Sequence, residues 1–464
     1  MRSRDVKPQS LFFGLPLFPQ WTFAAVLLAL LMQVQAEVPI SLLAHFRSSS
    51  ELGELRDIQA EWTDGVLKLS TAQAERQAWA VIPAPDAGWD LARSETVNAE
   101  IYNSGDEPIG VMFWVVGRHG WDAVLDMAAI APHQTRSFSC DLRAAFPDGT
   151  PKINPGDVRH VQIMLAELIF RPQRADEKAN PPPQFGSRIT RAVSVEVRKI
   201  TAQGLAPEWK RPAGRIDVPD IESCAPAPGK RVRYRLLDDA LTDIYSVLNL
   251  PEDWRPNQKY PVIVEYPGNV FYAAACYSTG LPDQCVIGYG MTKGKGAICL
   301  GMPFLDRVSG KLAENGWGNA ADTADYVIRM VAEVCAKFGG DRDNVVLTGF
   351  SRGAIACGYI GLRDSSIAGL WKGFHACQHY DGDGWNGETL EGAIERASRF
   401  QGAGVFQTDN PEDKFRPVTD VMKTQVTWAH SGLGFHSTAM FLDDRPSTQQ
   451  LRQWFWKIVE KQRP

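Results

Sequence analysis

The residues with the clearest chemical meaning are Gly349-Phe350-Ser351-Arg352-Gly353. A serine hydroxyl becomes a nucleophile when a sharp strand-to-helix turn exposes its Oγ and a nearby base takes its proton. Glycines two positions either side of Ser351 permit that turn, because a Cβ there would strike the adjoining strand or helix. Residues 344–348 are a short β-branched run suited to a buried parallel strand. Residues 354–360 are small and apolar, as a helix packed under a sheet should be. A second dense cluster runs from His375 to Gly384 and includes His379, Asp381 and Asp383. It holds metal-ligand residue types but no zinc-like spacing, and a calcium-loop pattern fails at Trp385. No metal and no cofactor is expected. The cluster reads as a loop lining a pocket beyond a strand end.

The elements that must position Ser351 begin near Lys230. Residues 231–237 and 244–250 alternate like an opening antiparallel pair, and residues 260–266 form a buried strand leading into Pro267-Gly268-Asn269. Further strands are expected at 297–301, 370–377, 403–406 and 424–429. Residues 320–338 carry apolar positions at helical spacing, and residues 448–461 form an amphipathic closing helix. Strands alternating with helices imply a mostly parallel sheet covered on both faces. The long segment 271–295 is expected over the mouth of the site.

With these residues in place, the segment 337–354 resembles the helix–strand–elbow of secreted esterases in the α/β-hydrolase superfamily. It is similar to the branch of feruloyl-esterase and polyhydroxybutyrate-depolymerase-like enzymes and to prolyl-oligopeptidase-like hydrolases. The resemblance covers roughly residues 230–464. It implies Ser351 as nucleophile, a carboxylate after a later strand and a histidine near the C-terminus. His436, in the loop Gly432-Leu433-Gly434-Phe435-His436, fits the base, with His430 as competitor. Asp409 ends a strand and fits the orienting acid, with Asp413 and Glu412 on the same loop, and Asp383 and Asp381 after the preceding strand, as alternatives. The oxyanion hole implied by the resemblance uses the Arg352 amide and an amide from Asn269 or Val270. The loop at Gly268-Asn269 lacks the family's His-Gly pair, so which of the two donates is open. The Arg352 side chain has two readings: it meets an acidic group on the substrate, or it turns away and pairs with a nearby acid.

Residues 37–203 read differently. Short runs such as 65–69, 78–82, 96–102, 110–116, 158–163 and 193–197 are bounded by turn residues, the pattern of an all-β, jelly-roll-like sandwich. This resembles the accessory β-sandwich modules of secreted polysaccharide-acting enzymes. Trp89, Trp114 or Trp121 could bind carbohydrate if exposed, and the competing reading makes them core. Residues 204–229 are Pro-rich and read as a semi-rigid linker before the catalytic domain at 230–464.

Residues 1–36 have a basic start, an apolar stretch and a Val34-Gln35-Ala36 cleavage signal, which predicts export and a cut after Ala36, leaving no stable membrane span. Export permits disulfides, and among the eight cysteines Cys276 and Cys285 flank a short loop that a bridge could close. A formal net charge of −5 without a long basic run argues against nucleic acid as partner. The sequence therefore predicts an exported serine hydrolase acting on a small or polysaccharide-linked ester. A secreted prolyl-oligopeptidase-like peptidase is the alternative, and an inactive hydrolase-fold carbohydrate-binding protein is a third reading.

Overall fold

The computed structural model describes residues 39–119, 121–170, 183–240, 242–273, 276–434 and 436–459. The signal segment and its cleavage site, together with most of the loop at 171–188, lie outside the described residues. Among the described residues no helix is long and apolar enough to cross a membrane.

The sheet that carries Ser351 has eight main strands: β1 Arg231–Tyr234, β2 Ser246–Asn249, β3 Tyr260–Tyr266, β4 Ile298–Gly301, β5 Gly340–Phe350, β6 Trp371–Cys377, β7 Gly404–Thr408 and β8 Gln425–Ala429. Their order across the sheet is β1-β2-β4-β3-β5-β6-β7-β8, with the short strand Ile221–Glu222 outside β1. β2 runs antiparallel to both neighbours, and every pair from β4 to β8 is parallel. Parallel strands need crossovers that cover both faces, so alternate residues enter two different cores. Val262, Val264, Val345 and Leu347 pack with Val327, Val331 and Ile355 on one face. Ile263, Val346 and Phe406 pack with Leu451 and Phe455 on the other.

The longer helices are α1 Ile287–Thr292, α2 Ala320–Phe338, α3 Arg352–Tyr359, α4 Leu390–Ala397, α5 Glu412–Thr419 and α6 Pro446–Val459, with a single turn at Ser365–Ala368. α2 matches its predicted span. Asn319 caps it by accepting from Ala321 N at 3.0 Å and Asp322 N at 3.1 Å. Gly339 ends it at φ 75°, where an added Cβ would stand 2.2 Å from the Gln258 carbonyl.

The described residues between 40 and 203 form two main antiparallel sheets. One orders Gln59–Thr63, Val66–Thr71, Val193–Gln203, Thr96–Asn103 and Thr135–Asp141, with Ile40–Ser41 added to the third. The other orders Leu55–Arg56, Ala78–Pro83, Val158–Ala166, Ile109–Gly117 and Ala123–Ile130. Inner residues of both sheets, among them Leu69, Val97, Val195, Ile82, Phe113 and Ile163, share one core. Ile109–Gly117 is buried along its whole length. Phe113 and Val115 face that core, while Met112, Trp114 and Val116 face outward onto Tyr272 and Tyr277. Those tyrosines belong to a hairpin of the half that carries Ser351, Phe271–Ala273 with Cys276–Ser278. A run that is apolar at every position, as this one is, needs cover on both faces, and the hairpin supplies the second.

The Pro-rich stretch packs against residues of the chain that follows it. Val218 is buried among Val286, Tyr289 and Leu442, Ile216 N donates to Leu442 O at 2.8 Å, and Arg231 Nη1 donates to Pro219 O at 2.9 Å. Cys276 and Cys285 are both free thiols, and the bridge weighed for them is not formed. The Cys285 thiol instead donates to Glu265 O at 3.4 Å.

Candidate active site

Ser351 stands between β5 and α3 with φ 55° and ψ −120°, a left-handed conformation that L-residues other than glycine rarely adopt. Its N–H donates to Cys377 O at 3.0 Å, and its carbonyl accepts from Ala354 N at 2.9 Å, so β6 on one side and the first turn of α3 on the other hold the turn. The flanking glycines are required by contact. A Cβ on Gly349 would lie 2.1 Å from Gly353 O, and one on Gly353 would lie 2.1 Å from Tyr266 O, the last residue of β3.

Ser351 opens on a cavity of about 370 Å³, lined also by Asn269, Phe271, Ser278, Phe350, His379, Asp383, Trp385 and His436. His436 packs its ring 4.4 Å from that of Phe350 and 5.4 Å from that of His379. Burial, with a smaller contribution from His379, holds the His436 imidazole down at about 4. His379 has a carboxylate on its Nδ1, from Asp383, which Lys414 also contacts. Lys414 and His379 together hold the Asp383 carboxyl below its ordinary value although its partial burial acts the other way.

Asp409 follows β7 at φ 55°, one step past the strand end as expected. Its Oδ1 accepts from Ser431 N at 2.7 Å, and its Oδ2 accepts from Ser431 Oγ at 2.5 Å and Gln378 Nε2 at 3.2 Å. Gln378 Oε1 in turn accepts from Ser437 N at 3.2 Å. The structure thus ties Asp409 to the residue after His436 through Gln378, and among the described residues no bond joins Asp409 to the His436 ring. His430 has its Nδ1 4.0 Å from Asp409 Oδ1, but its side chain is 82% exposed and does not line the cavity. Asp413 and Glu412 lie in the first turn of α5, where Glu412 pairs with Arg416, and neither reaches the cavity. Asp381 is buried against Arg396, with bonds of 2.7 and 2.6 Å, and burial raises its carboxyl to about 6.

The loop that presents His379 and Asp383 is braced from within. The Glu388 carboxylate accepts from Gly382 N, Gly384 N and Trp385 N. Asn410 Nδ2 donates to His379 O at 3.0 Å. His375, four residues earlier, is a core residue: its ring bridges Thr348 Oγ1 at 2.8 Å and Thr408 Oγ1 at 2.9 Å inside the sheet.

Two expectations about the oxyanion site change. Val270 N donates to Glu314 O at 2.8 Å, which leaves it no hydrogen for an oxyanion. Among the described residues the Asn269 and Arg352 amides have no such acceptor. Arg352 lines the cavity, and among the described residues its side chain forms no ion pair with an acid. It is fully buried and donates to four backbone carbonyls. Trp89 and Trp114 are core residues. Trp121 stacks on His119 with ring centroids 4.9 Å apart, and it lines a small cavity of about 30 Å³ beside the main one, together with Phe146, Ser278, Phe350 and His436.

The strand order, the strained serine between β5 and α3 and the parallel sheet from β4 to β8 define an α/β-hydrolase-like domain. No family model and no curated protein matches the chain. Solved structures with some likeness include a sugar hydrolase from Lactococcus lactis, at 11% identity and TM-score 0.35 over 50% of this chain and 98% of that one. A thermostable esterase shows 12% identity and TM-score 0.34 over 79% and 95%. A fungal esterase from Rhizomucor miehei shows 11% identity and TM-score 0.34 over 50% and 82%. Likeness at this level carries no argument about activity.

Proposed function

We propose that the protein is an exported serine hydrolase that cleaves carboxylic esters through an acyl-enzyme on Ser351, with its β-rich half as an accessory β-sandwich. The observation that carries the reading is the left-handed Ser351 sharing one cavity with two imidazoles. In the first step Ser351 Oγ gives its proton to an imidazole and bonds to the ester carbonyl carbon. The developing oxyanion is met by the Arg352 and Asn269 amides. The C–O bond to the alcohol then breaks, and the alcohol leaves with the proton from the imidazolium. Water repeats the sequence on the acyl group and returns Ser351. Esters carried on plant or algal polysaccharide are the substrate class that fits an exported enzyme of this type.

His436 is the base in this reading, as its place after β8 indicates. A second reading is favoured by one observation: His379, and not His436, has a carboxylate on its ring. Burial opposes an imidazolium at His436. Exchange of each histidine for Gln separates them: the base variant loses on the order of 10³-fold in kcat, and the other loses far less. Labelling with a fluorophosphonate tests the whole proposal. Wild type should label and Ser351→Ala should not; an unlabelled wild type, or equal labelling of both, removes it. Parallel assays on aryl esters and prolyl-aminoacyl anilides separate esterase from peptidase.

A further inference from the structure

Arg352 is the most deeply buried arginine among the described residues, at 1% exposure. Its Nη1 donates to Ala313 O and Gly316 O, and its Nη2 to Gly268 O and Gly280 O, each at 2.9 Å. Its carbon lies 3.9 Å from the centre of the Phe304 ring. Burial without a carboxylate contact brings its pKa down to about 9. Taking a guanidinium out of water costs several kcal/mol unless its donors are satisfied, and here four of the five are, the Nε–H being left over.

The four carbonyls belong to three separate loops. Gly268 precedes Asn269, Gly280 follows the hairpin, and Ala313 and Gly316 lie on the approach to α2. The same loops are laced together around Asn269. Its Oδ1 accepts from Gly316 N at 3.0 Å, and its Nδ2 donates to Asn315 Oδ1 at 2.7 Å. Val270 N is held by Glu314 O. The Glu314 carboxylate then reaches the β-rich half, accepting from Arg56 at 2.5 and 2.7 Å and from Arg76 at 3.0 Å.

We propose that the Arg352 guanidinium is a positioning residue of the oxyanion site. Its main chain supplies one donor amide, and its side chain holds the Gly268–Asn269 peptide that supplies the other. The proposal rests on the serine-hydrolase reading above. Both donors then hang from one residue, so their separation is fixed by one side chain rather than by two loops. A lysine cannot replace it: three hydrogens on one nitrogen do not span the positions that the planar fork reaches.

The test compares Arg352→Lys and Asn269→Ala with wild type, each checked for folding by circular dichroism. Asn269→Ala keeps the amide and removes only the lacing, so it serves if the buried variant fails to fold. Arg352→Lys should lower kcat on an aryl ester on the order of 100-fold with KM within about 2-fold, and Asn269→Ala about 10-fold. Fluorophosphonate labelling should slow in parallel, and amide exchange at residues 268–270 should quicken. Wild-type kcat in the folded variants overturns the proposal, including the case where exchange quickens and turnover does not change. A raised KM at unchanged kcat overturns it too, because Arg352 would then be meeting substrate. A wild type that neither labels nor turns over ester defeats the hydrolase reading itself, a result distinct from either.

Discussion

His375 and His436 are the same side chain set to different tasks by two neighbours each. His375 lies inside the sheet between two threonine hydroxyls, and burial holds it at about 3. His119 and His160, half-buried, are held at about 3 and 4. In the unfolded chain each takes up a proton near 6.5, so between 6.5 and about 4 the unfolded state binds more protons and stability falls as pH drops. Glu265, raised by burial to about 7, and Asp122, raised to about 6, act oppositely, keeping protons that the unfolded chain has lost and weakening the fold as pH rises. His375→Gln, which can still reach both threonines, should flatten the fall of Tm between pH 6.5 and 4 relative to wild type. If His436 is the base, the acid limb of kcat/KM should lie well below 6.5, near its value of about 4, and pH–rate profiles read this directly. The sequence placed His375 and His379 in one cluster. Strand register separates them: His375 falls inside β6, paired with Phe406 across the sheet, and His379 falls past its end.

The elbow was legible because its requirements are local. A strand, two glycines around a serine and a small-residue helix leave few other arrangements. Gly349→Ala or Gly353→Ala should lower unfolding free energy by at least ~3 kcal/mol in denaturant titrations, since in each case the obstruction is backbone that cannot swing aside. The hairpin at Phe271–Ala273 and Cys276–Ser278 was not legible as such, although segment 271–295 was expected over the site. Its stability comes from a surface distant in sequence. Tyr277 lies 5.2 Å from Trp114 and 5.0 Å from Tyr272, ring to ring, and its hydroxyl donates to Gln162. Tyr277→Ala should cost about 3–5 kcal/mol through the cavity it leaves, measured by the same titrations. Because Cys276 and Ser278 flank Tyr277 and line the cavity, turnover should fall with it.

At the scale of the molecule, the β-rich half is more than an appended unit. Its outer sheet face buries Trp79, Met112 and Trp114 against the hairpin, and its Arg56 and Arg76 hold Glu314. Residues 204–464 expressed alone would expose Tyr272 and Tyr277 of the hairpin and release Glu314. The fragment should aggregate or bind a hydrophobic dye, and it should lack turnover, whereas a tethered but independent module would leave it soluble and active. Composition and strand spacing indicated two kinds of architecture, but not that they share an interface. One signal was present: Ile109–Gly117 is apolar without alternation, which a sheet with one wet face does not tolerate. The Arg352 clamp left no such mark, because its partners are carbonyls, which every residue has.

That last point bears on how the site can change. Arg352 recognises three loops by their main chain alone, so the side chains on those loops can vary without disturbing it. Insertions or deletions at 268, 280 or 313–316 would move a carbonyl and break the set. A redesign of substrate range should therefore vary Phe271 and Trp385 on the cavity wall while keeping loop lengths fixed, and a library built that way should retain more folded members than one built on loop length.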